Sequence, residues 1–383
     1  MKRRILFLVA VLCFLLCDTE VYAENSEESE SYQEYLELMF GNYDMASVNE
    51  AVAGYYPEMP YNGTELMQLL MQGKVKEVFS CIWAQTCNRI WGELPFAKQV
   101  FLYVLVLGIA SSFFSGFADL FAGGKHARIA FYLLYLMLMG ILMKVFVMTS
   151  QIASQVLGSV VDFVKMFIPA YFVAVGISNG TQTAVVYYEV MLLVIYFVEN
   201  LIKAVVLPMA YSYMMLAFLN GLWTEDRLVL LLDLLKKGVL LSLKMVLGMI
   251  TGLSLVQAVI VPVVDGLKNS AIHKAVSAIP GIGGAAKGIT ELLMGAAVLI
   301  KNSMGVLLLL LLIGICLIPV LKILFLALSV KLASAITGII SDKRISDCAN
   351  HVGEGCFLIL RCVFTCVALF FIVVAVIAYS IMV

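Results

Sequence analysis

The chain is predicted to be an all-α polytopic integral membrane protein of about seven or eight transmembrane or re-entrant helices, led by a cleavable signal peptide and a small exported N-terminal segment. Three observations carry that prediction. Hydrophobic residues fill 62% of the 383 positions and charged residues only 13%, about half the charged share of a soluble domain, with a mean hydropathy of +1.00. Residues 96–383 hold room for roughly seven or eight crossings at about 20 residues each, and they lack the alternating segments of about ten residues that mark a membrane β-barrel. Charge is also divided along the chain. Residues 24–95 carry twelve acidic side chains against three basic ones (Lys74, Lys76, Arg89), a net of −9, whereas residues 96–383 carry twelve against nineteen, a net of +7. The organisation expected is therefore a signal peptide over 1–23, an acidic extracytoplasmic segment over 24–95 and a multi-span helical membrane domain over 96–383.

The first element follows signal-peptide grammar: Lys2, Arg3 and Arg4, then the apolar run Ile5 to Leu16, then Val21-Tyr22-Ala23, which predicts cleavage after Ala23. An uncleaved anchor is the alternative, although this run is short for a span. Leu16 before Cys17 argues against a lipoprotein. In the exported segment, Glu24 to Ser31 lacks apolar residues and is expected to be disordered. Tyr32, Tyr35, Leu36, Leu38, Met39 and Phe40 suggest a short helix ended at Gly41-Asn42. Tyr55-Tyr56-Pro57-Glu58-Met59-Pro60 reads as an aromatic turn, and a second helix starts near Thr64 with Leu66, Leu69, Leu70, Val75, Val78, Phe79 and Ile82 as its apolar stripe. A segment this small barely sustains a core alone, so its aromatic residues are expected to bury against the membrane body or a partner. The alternative is a mobile acidic tail. Cys81 and Cys87 lie where disulfides are permitted, but six residues apart on a helix they point to different faces, so a bridge requires a bend. Asn62-Gly63-Thr64 matches a glycosylation sequon, a pattern of three common residues with little information.

The candidate spans are Phe96–Phe121, Ile129–Met148, Phe163–Ser178, Ala184–Leu207, Pro208–Trp223, Leu243–Val264, Ser303–Leu328 and Arg361–Met382. Phe163–Ser178 and Pro208–Trp223 are short enough to be re-entrant or interfacial. The first span delivers Lys125, His126 and Arg128 to the cytoplasm, as the positive-inside rule requires, and the second returns to Thr149–Val161 outside. Continued alternation places Asp226–Lys244 inside and Asp265–Asn302 outside, where Lys268, Lys274, Lys287 and Lys301 run against the same rule.

Four features could carry mechanism. Glu189, Glu199 and Lys203 lie in one apolar helix, where an unpaired charge costs about 2.5–3.5 kcal/mol or more. Glu199 and Lys203 stand four apart in the favourable order for an ion pair, so a structural pair and a conduit-lining role are both open, while Glu189 lacks a local partner and is the better candidate for a functional carboxylate. Asp226, Asp233, Lys237 and Lys244 fall on one stripe of a leucine-rich helix. That stripe suits an interfacial or partner-docking helix, or an entry helix with snorkelling lysines. Pro280, Gly281, Gly283 and Gly284 break the helix, and Gly284 with Gly288 has the small-xxx-small spacing of close helix contacts. No Gly-Lys-Ser/Thr follows, so a phosphate loop is excluded. Cys348, His351 and Cys356, with Asn350 and Glu354 beside them, lack a fourth ligand and make a weak zinc signal. Cys362 and Cys366 are more simply small apolar residues. No cofactor site and no nucleophile with a base is legible, so the sequence predicts a protein that is not an enzyme.

The export signal, the acidic segment, the multi-span body, and above all Ala278-Ile-Pro-Gly-Ile-Gly-Gly284 leading into Ala297-Val-Leu-Ile-Lys-Asn302, resemble stage III sporulation protein AE of endospore-forming Firmicutes over essentially the whole chain. The resemblance implies a non-enzymatic component of the stage III A channel or secretion-like complex, set in the mother-cell-derived membrane around the forespore and needed for forespore development after engulfment. The partners it implies are the other stage III A operon proteins, including a secretion-type ATPase and ring-forming membrane proteins, and through them the forespore-side Q protein. Membrane lipid and further copies of the chain are additional expected partners, and nucleic acid is not. The alternative reading of the same residues is an independent secondary transporter using Glu189 or the Glu199–Lys203 pair.

Overall fold

In the computed structural model, residues 45–120, 125–179, 194, 196–221, 228–276, 283–340 and 343–380 are described. All regular structure among them is helical: α1 (Ala46–Tyr55), α2 (Gly63–Met71), α3 (Val75–Leu120), α4 (Lys125–Asn179), a π-helical turn (Ile202–Val206) leading into α5 (Leu207–Asn220), α6 (Val229–Val276), α7 (Gly283–Ile340) and α8 (Lys343–Ser380). Five stretches among the described residues are long and apolar enough to cross a bilayer: Pro95–Phe113, Tyr132–Phe163, Tyr196–Asn220, Asn302–Ile339 and Lys343–Ile372.

The helices are fewer and longer than the sequence suggests. Ile129–Met148 and Phe163–Ser178, expected as separate spans, belong to the single helix α4. The polar stretch between them does not turn back, because it is amphipathic: Ile152, Ala153, Val156, Leu157, Val160 and Phe163 are buried, while Gln151, Ser154, Gln155 and Asp162 are exposed. Likewise Tyr196–Asn220 is one apolar stretch in which the expected boundary at Pro208 is absorbed by the π turn. Pro208 has no N–H to give, and Leu207 donates to Ile202 O, five residues back, so the helix widens by one residue instead of ending. At 58 residues, α7 is about 87 Å long at 1.5 Å per residue, nearly three times a hydrocarbon core of about 30 Å.

Helix directions follow from matched contacts. The α7–α8 hairpin is antiparallel, with Ser334 paired to Ser346 and Lys331 to Asn350 and Glu354. Gly314 of α7 lies against Ile82 of α3, and Gly108 of α3 against Thr337 of α7, so these two run parallel. Tyr135 and Thr149 of α4 meet Cys348 and Cys356 of α8 in the same order. Tyr135 also donates to Phe218 O, and Tyr211 packs edge-on against Phe146, so the Tyr196–Asn220 stretch runs opposite to α4. One end of the bundle therefore carries the α3–α4 and α7–α8 connections with Lys125, Arg128, Lys343 and Arg344. The other carries Tyr56, and the two are called the Lys343 end and the Tyr56 end below. α8 is the central helix, with the largest buried share of the five stretches. Lipid-type side chains such as Leu133, Leu136, Met137, Leu230, Met245, Met249 and Ile339 cover the outside of α4, α6 and α7.

The aromatic residues of the acidic segment dock on this body. Tyr56 is buried and donates to Leu311 O at 2.9 Å, and Tyr55 donates to Ser159 O at 3.0 Å with its ring edge-on to Phe163. Burial, with Asp162 nearby, holds the Tyr55 phenol above its usual pKa, so it remains a donor. Val48, Leu66 and Met67 are fully buried. α2 begins with a capping box, Asn62 Oδ1 accepting from Glu65 N–H at 2.8 Å and Glu65 Oε2 from Asn62 N–H at 2.9 Å. It ends in a Schellman turn, Lys74 N–H to Leu69 O and Gly73 N–H to Leu70 O, with Gly73 at φ +77°. The sequon residues thus have local structural roles, Thr64 also bonding Asn49. Cys81 and Cys87 are free thiols on the uninterrupted α3, which supplies no bend to bring them together.

Candidate functional site

The most polar junction inside the membrane body joins three helices at Glu354. Lys236 of α6 and Lys331 of α7 both reach this α8 carboxylate: Lys236 Nζ bonds Oε2, and Lys331 Nζ stands 3.1 Å from Oε1 while also donating to Asn350 Oδ1 at 2.7 Å. Tyr213 of α5 approaches from the other side, its hydroxyl 3.3 Å from His351 Nδ1. Local sequence shapes the fit. Gly353 lets the Lys331 stem pass at van der Waals distance, and Gly355 does the same for Met214, the close approach that small residues permit between membrane helices.

Depth gives the junction its significance. Ala97 and Lys98 share a groove with Phe325, Leu328 and Leu332, and Gly108 abuts Thr337. In this register Lys331 stands level with Leu102 and Tyr103, inside the apolar Pro95–Phe113 stretch. Two cations and one carboxylate therefore meet among apolar helices, where each lone charge would cost about 2.5–3.5 kcal/mol or more if it lay at the bilayer centre. Their side chains keep 27–35% exposure. Charged groups at such depth pair with one another or face the bundle interior or a water-filled path. α6 and α7 both contact α8, and a lysine from each meets its Glu354 carboxylate.

The residues singled out by sequence fall in several places. Glu199 and Lys203 form an i,i+4 ion pair with the carboxylate side chain 11% and the ammonium side chain 38% exposed. The pair sits at the π turn, and Cys366 of α8 lies within electrostatic range of both. Asp233, Lys237 and Lys244 share the exposed face of α6, the first two paired at 2.6 Å. Gly283, Gly284 and Gly288 open α7, and α6 is described as far as Val276. Glu189, Asp226, Pro280 and Gly281 lie outside the described residues. Cys348, His351 and Cys356 turn to different neighbours: Cys348 Sγ lies 3.2 Å from the Tyr135 hydroxyl, Cys356 lies 3.8 Å from Thr149, and His351 meets Tyr213. Among the described residues no three His, Cys, Asp or Glu side chains are grouped to hold a metal.

Sequence reasoning missed Lys236 and Lys331. The available signals were Lys236 standing next to Lys237 but about 100° off the stripe, and Lys331 as a lone cation between long apolar runs. Glu354 drew notice only as a neighbour of the weak zinc pattern, because its two partners come from helices 118 and 23 residues away.

Comparison with known proteins agrees with the membrane body. The family model for stage III sporulation protein AE matches residues 61–380. A curated protein, stage III sporulation protein AE of Bacillus subtilis (strain 168), is 25% identical over 210 residues, 55% of this chain and 53% of that protein. The aligned stretch thus spans about half the length of that relative. No solved structure matches the chain.

Proposed function

The chain belongs to the stage III sporulation protein AE family, and we propose that it is a non-enzymatic membrane component of the stage III A channel or secretion-like complex linking mother cell and forespore. In this reading the Lys343 end is cytoplasmic, since Lys125, Arg128, Lys343 and Arg344 cluster there as the positive-inside rule requires, and it faces the secretion-type ATPase. The Tyr56 end is extracytoplasmic and presents the docked acidic segment to the ring-forming proteins and, through them, to the forespore-side Q protein. The observation that carries the proposal is the Lys236–Glu354–Lys331 junction between three apolar helices. Three helices held by one carboxylate suit a conduit wall or a moving joint.

Glu354→Gln tests this. It keeps shape and removes the counter-charge of two lysines, so heat-resistant spore yield should fall at least about a hundredfold, the scale of a lost intramembrane charge pair of roughly 3 kcal/mol, while the protein still accumulates in the membrane. Normal spore yield from accumulated Glu354→Gln protein would remove the junction from the mechanism. Glu189→Gln, at the carboxylate that the sequence singles out in the Ala184–Leu207 run, belongs in the same assay.

A further inference from the structure

A groove of about 440 Å³ opens between α3 and α4, lined by Phe96, Gln99, Val100, Tyr103, Met137, Gly140, Ile141 and Lys144. Three observations give it an occupant. First, the groove mouth lies at the boundary between apolar and polar protein surface. Along α4 the exposed large apolar residues run from Ile129 to Val147 and the exposed residues are polar from Gln151 onward, with Lys144 one to two turns before the change. Along α3 the charged Arg89 and Glu93 precede the apolar run from Phe96, whose ring lies 5.5 Å from Lys144 Nζ. Second, Lys144 is exposed, and this ring contact is its only charged-group interaction among the described residues; no carboxylate reaches it. Third, the floor below it, Val100, Tyr103 and Met137, runs one to two turns deeper toward the Lys343 end and is apolar, with Tyr103 half exposed and Met137 61% exposed. A cation at headgroup level above an apolar trough between two helices is complementary to an amphiphile with an anionic head and a hydrocarbon tail. Lysine binds phosphate as a point charge, and Gln99 adds amide donors and an acceptor beside it. The same arrangement recurs on the other flank of α3, where exposed Lys98 stands over Phe325, Leu328 and Leu332.

We propose that the α3–α4 groove binds one anionic glycerophospholipid from the leaflet on the Tyr56 side, its phosphate held by Lys144 and one acyl chain lying along Val100, Tyr103 and Met137. The bound lipid supplies the counter-charge that the protein withholds from Lys144 and seals the seam by which the exported segment's helix enters the membrane.

The test uses the full chain in phosphatidylcholine vesicles containing a trace of phosphatidylglycerol with a photoreactive acyl chain, with adducts located by peptide mass spectrometry. Adducts should concentrate on Tyr103, Met137 and Ile141, and a photoreactive phosphatidylcholine probe should give them only at the level seen on the general lipid-facing surface at Leu133 and Met249. Lys144→Gln should lower groove labelling about fivefold, the factor expected for one lysine near an anionic lipid surface, and Lys144→Arg should retain it. Gly140→Leu fills the trough, since a Cβ there meets nothing within 4 Å, and should abolish groove adducts while Leu133 and Met249 still label, which separates blockage from misfolding. Equal labelling by the zwitterionic probe, or groove labelling indifferent to Lys144→Gln, overturns the proposal. So does a cross-link in sporulating cells from a photoreactive residue at position 144 to an acidic helix of another polypeptide, which would give the groove to a protein partner.

Discussion

At the residue scale, the docking of the acidic segment rests on a few contacts that glycines make possible. Tyr56 reaches the Leu311 carbonyl because Gly314, one turn further along α7, leaves space for the phenol; a Cβ there would collide with the hydroxyl. Tyr56→Phe removes one buried hydrogen bond and should cost about 1 kcal/mol in a reversible denaturation of the detergent-solubilised protein. Gly314→Ala should cost more, because it evicts the whole side chain. If both act through the same contact, the double variant will be less destabilised than the sum of the singles; full additivity would show that Tyr56 and Gly314 contribute independently. Asn62→Ala, which removes the side-chain acceptor of the α2 capping box and leaves the backbone N–H of residue 62 bonded to Glu65, should cost a further roughly 1 kcal/mol in the same assay and be additive with Tyr56→Phe, since the two sites share no partner. The aromatic anchors were legible in the sequence as apolar residues too numerous for a tail. Their receptors were not, because backbone carbonyls of Leu311 and Ser159 carry no mark in the sequence.

At the scale of elements, apolar content located the described helices of the membrane body but cut them too short; in the acidic segment it missed α1 and ran α2 into α3, which the Schellman turn at Gly73 separates. Polar residues and prolines were read as ends. Thr149–Val161 continues as helix because its polar positions share one face, a period of 3.6 that was present in the sequence and outweighed by its lack of charge. Pro208 is harder to read, since a proline inside an apolar run marks a helix end as often as an adjusted helix. The π turn before it offers a direct test. One extra residue in the turn rotates everything upstream by about 100° relative to α5, and that rotation points Glu199 and Lys203 at α8. Pro208→Ala restores the missing N–H and allows the α register to continue. A cysteine placed at Glu199 should therefore cross-link to Cys366 through a short bifunctional reagent in the parent and lose most of that yield when Pro208→Ala is added. Equal yield in both would show that packing against α8, and not the proline, holds the π turn.

At the scale of the whole molecule, helix directions settle what charge counting left ambiguous. α3, the Tyr196–Asn220 stretch and α7 run from the Tyr56 end to the Lys343 end, and α4 and α8 run back. α6 runs back as well, since Met209 lies against Gly238 and Asn220 accepts from Leu228 N–H, both consistent with an antiparallel α5–α6 pair. The far end of α6 and the start of α7 then emerge on the side of Tyr56, with Lys268, Lys274, Lys287 and Lys301 beyond the apolar belt. The positive-inside bias weighs charges in short connections next to a span. These lysines are instead carried on helices long enough to leave the bilayer, Ser270 standing about 60 Å along α6 from Val229 at 1.5 Å per residue, against a core of about 30 Å. Their sign is therefore a weak guide to side; counting α6 as a pass beside the five apolar stretches would put Tyr56 and the C-terminal end of α8 at the same membrane face. In a version lacking the native cysteines, Ser270→Cys should react with a membrane-impermeant maleimide in intact protoplasts, whereas Ala127→Cys, in the first turn of α4 between Lys125 and Arg128, should react only after permeabilisation. The reverse pattern would turn the whole bundle over and put the docked acidic segment in the cytoplasm. Labelling of both without permeabilisation would instead break the six-pass count, and the pass to remove would be α6, whose direction rests on the fewest contacts.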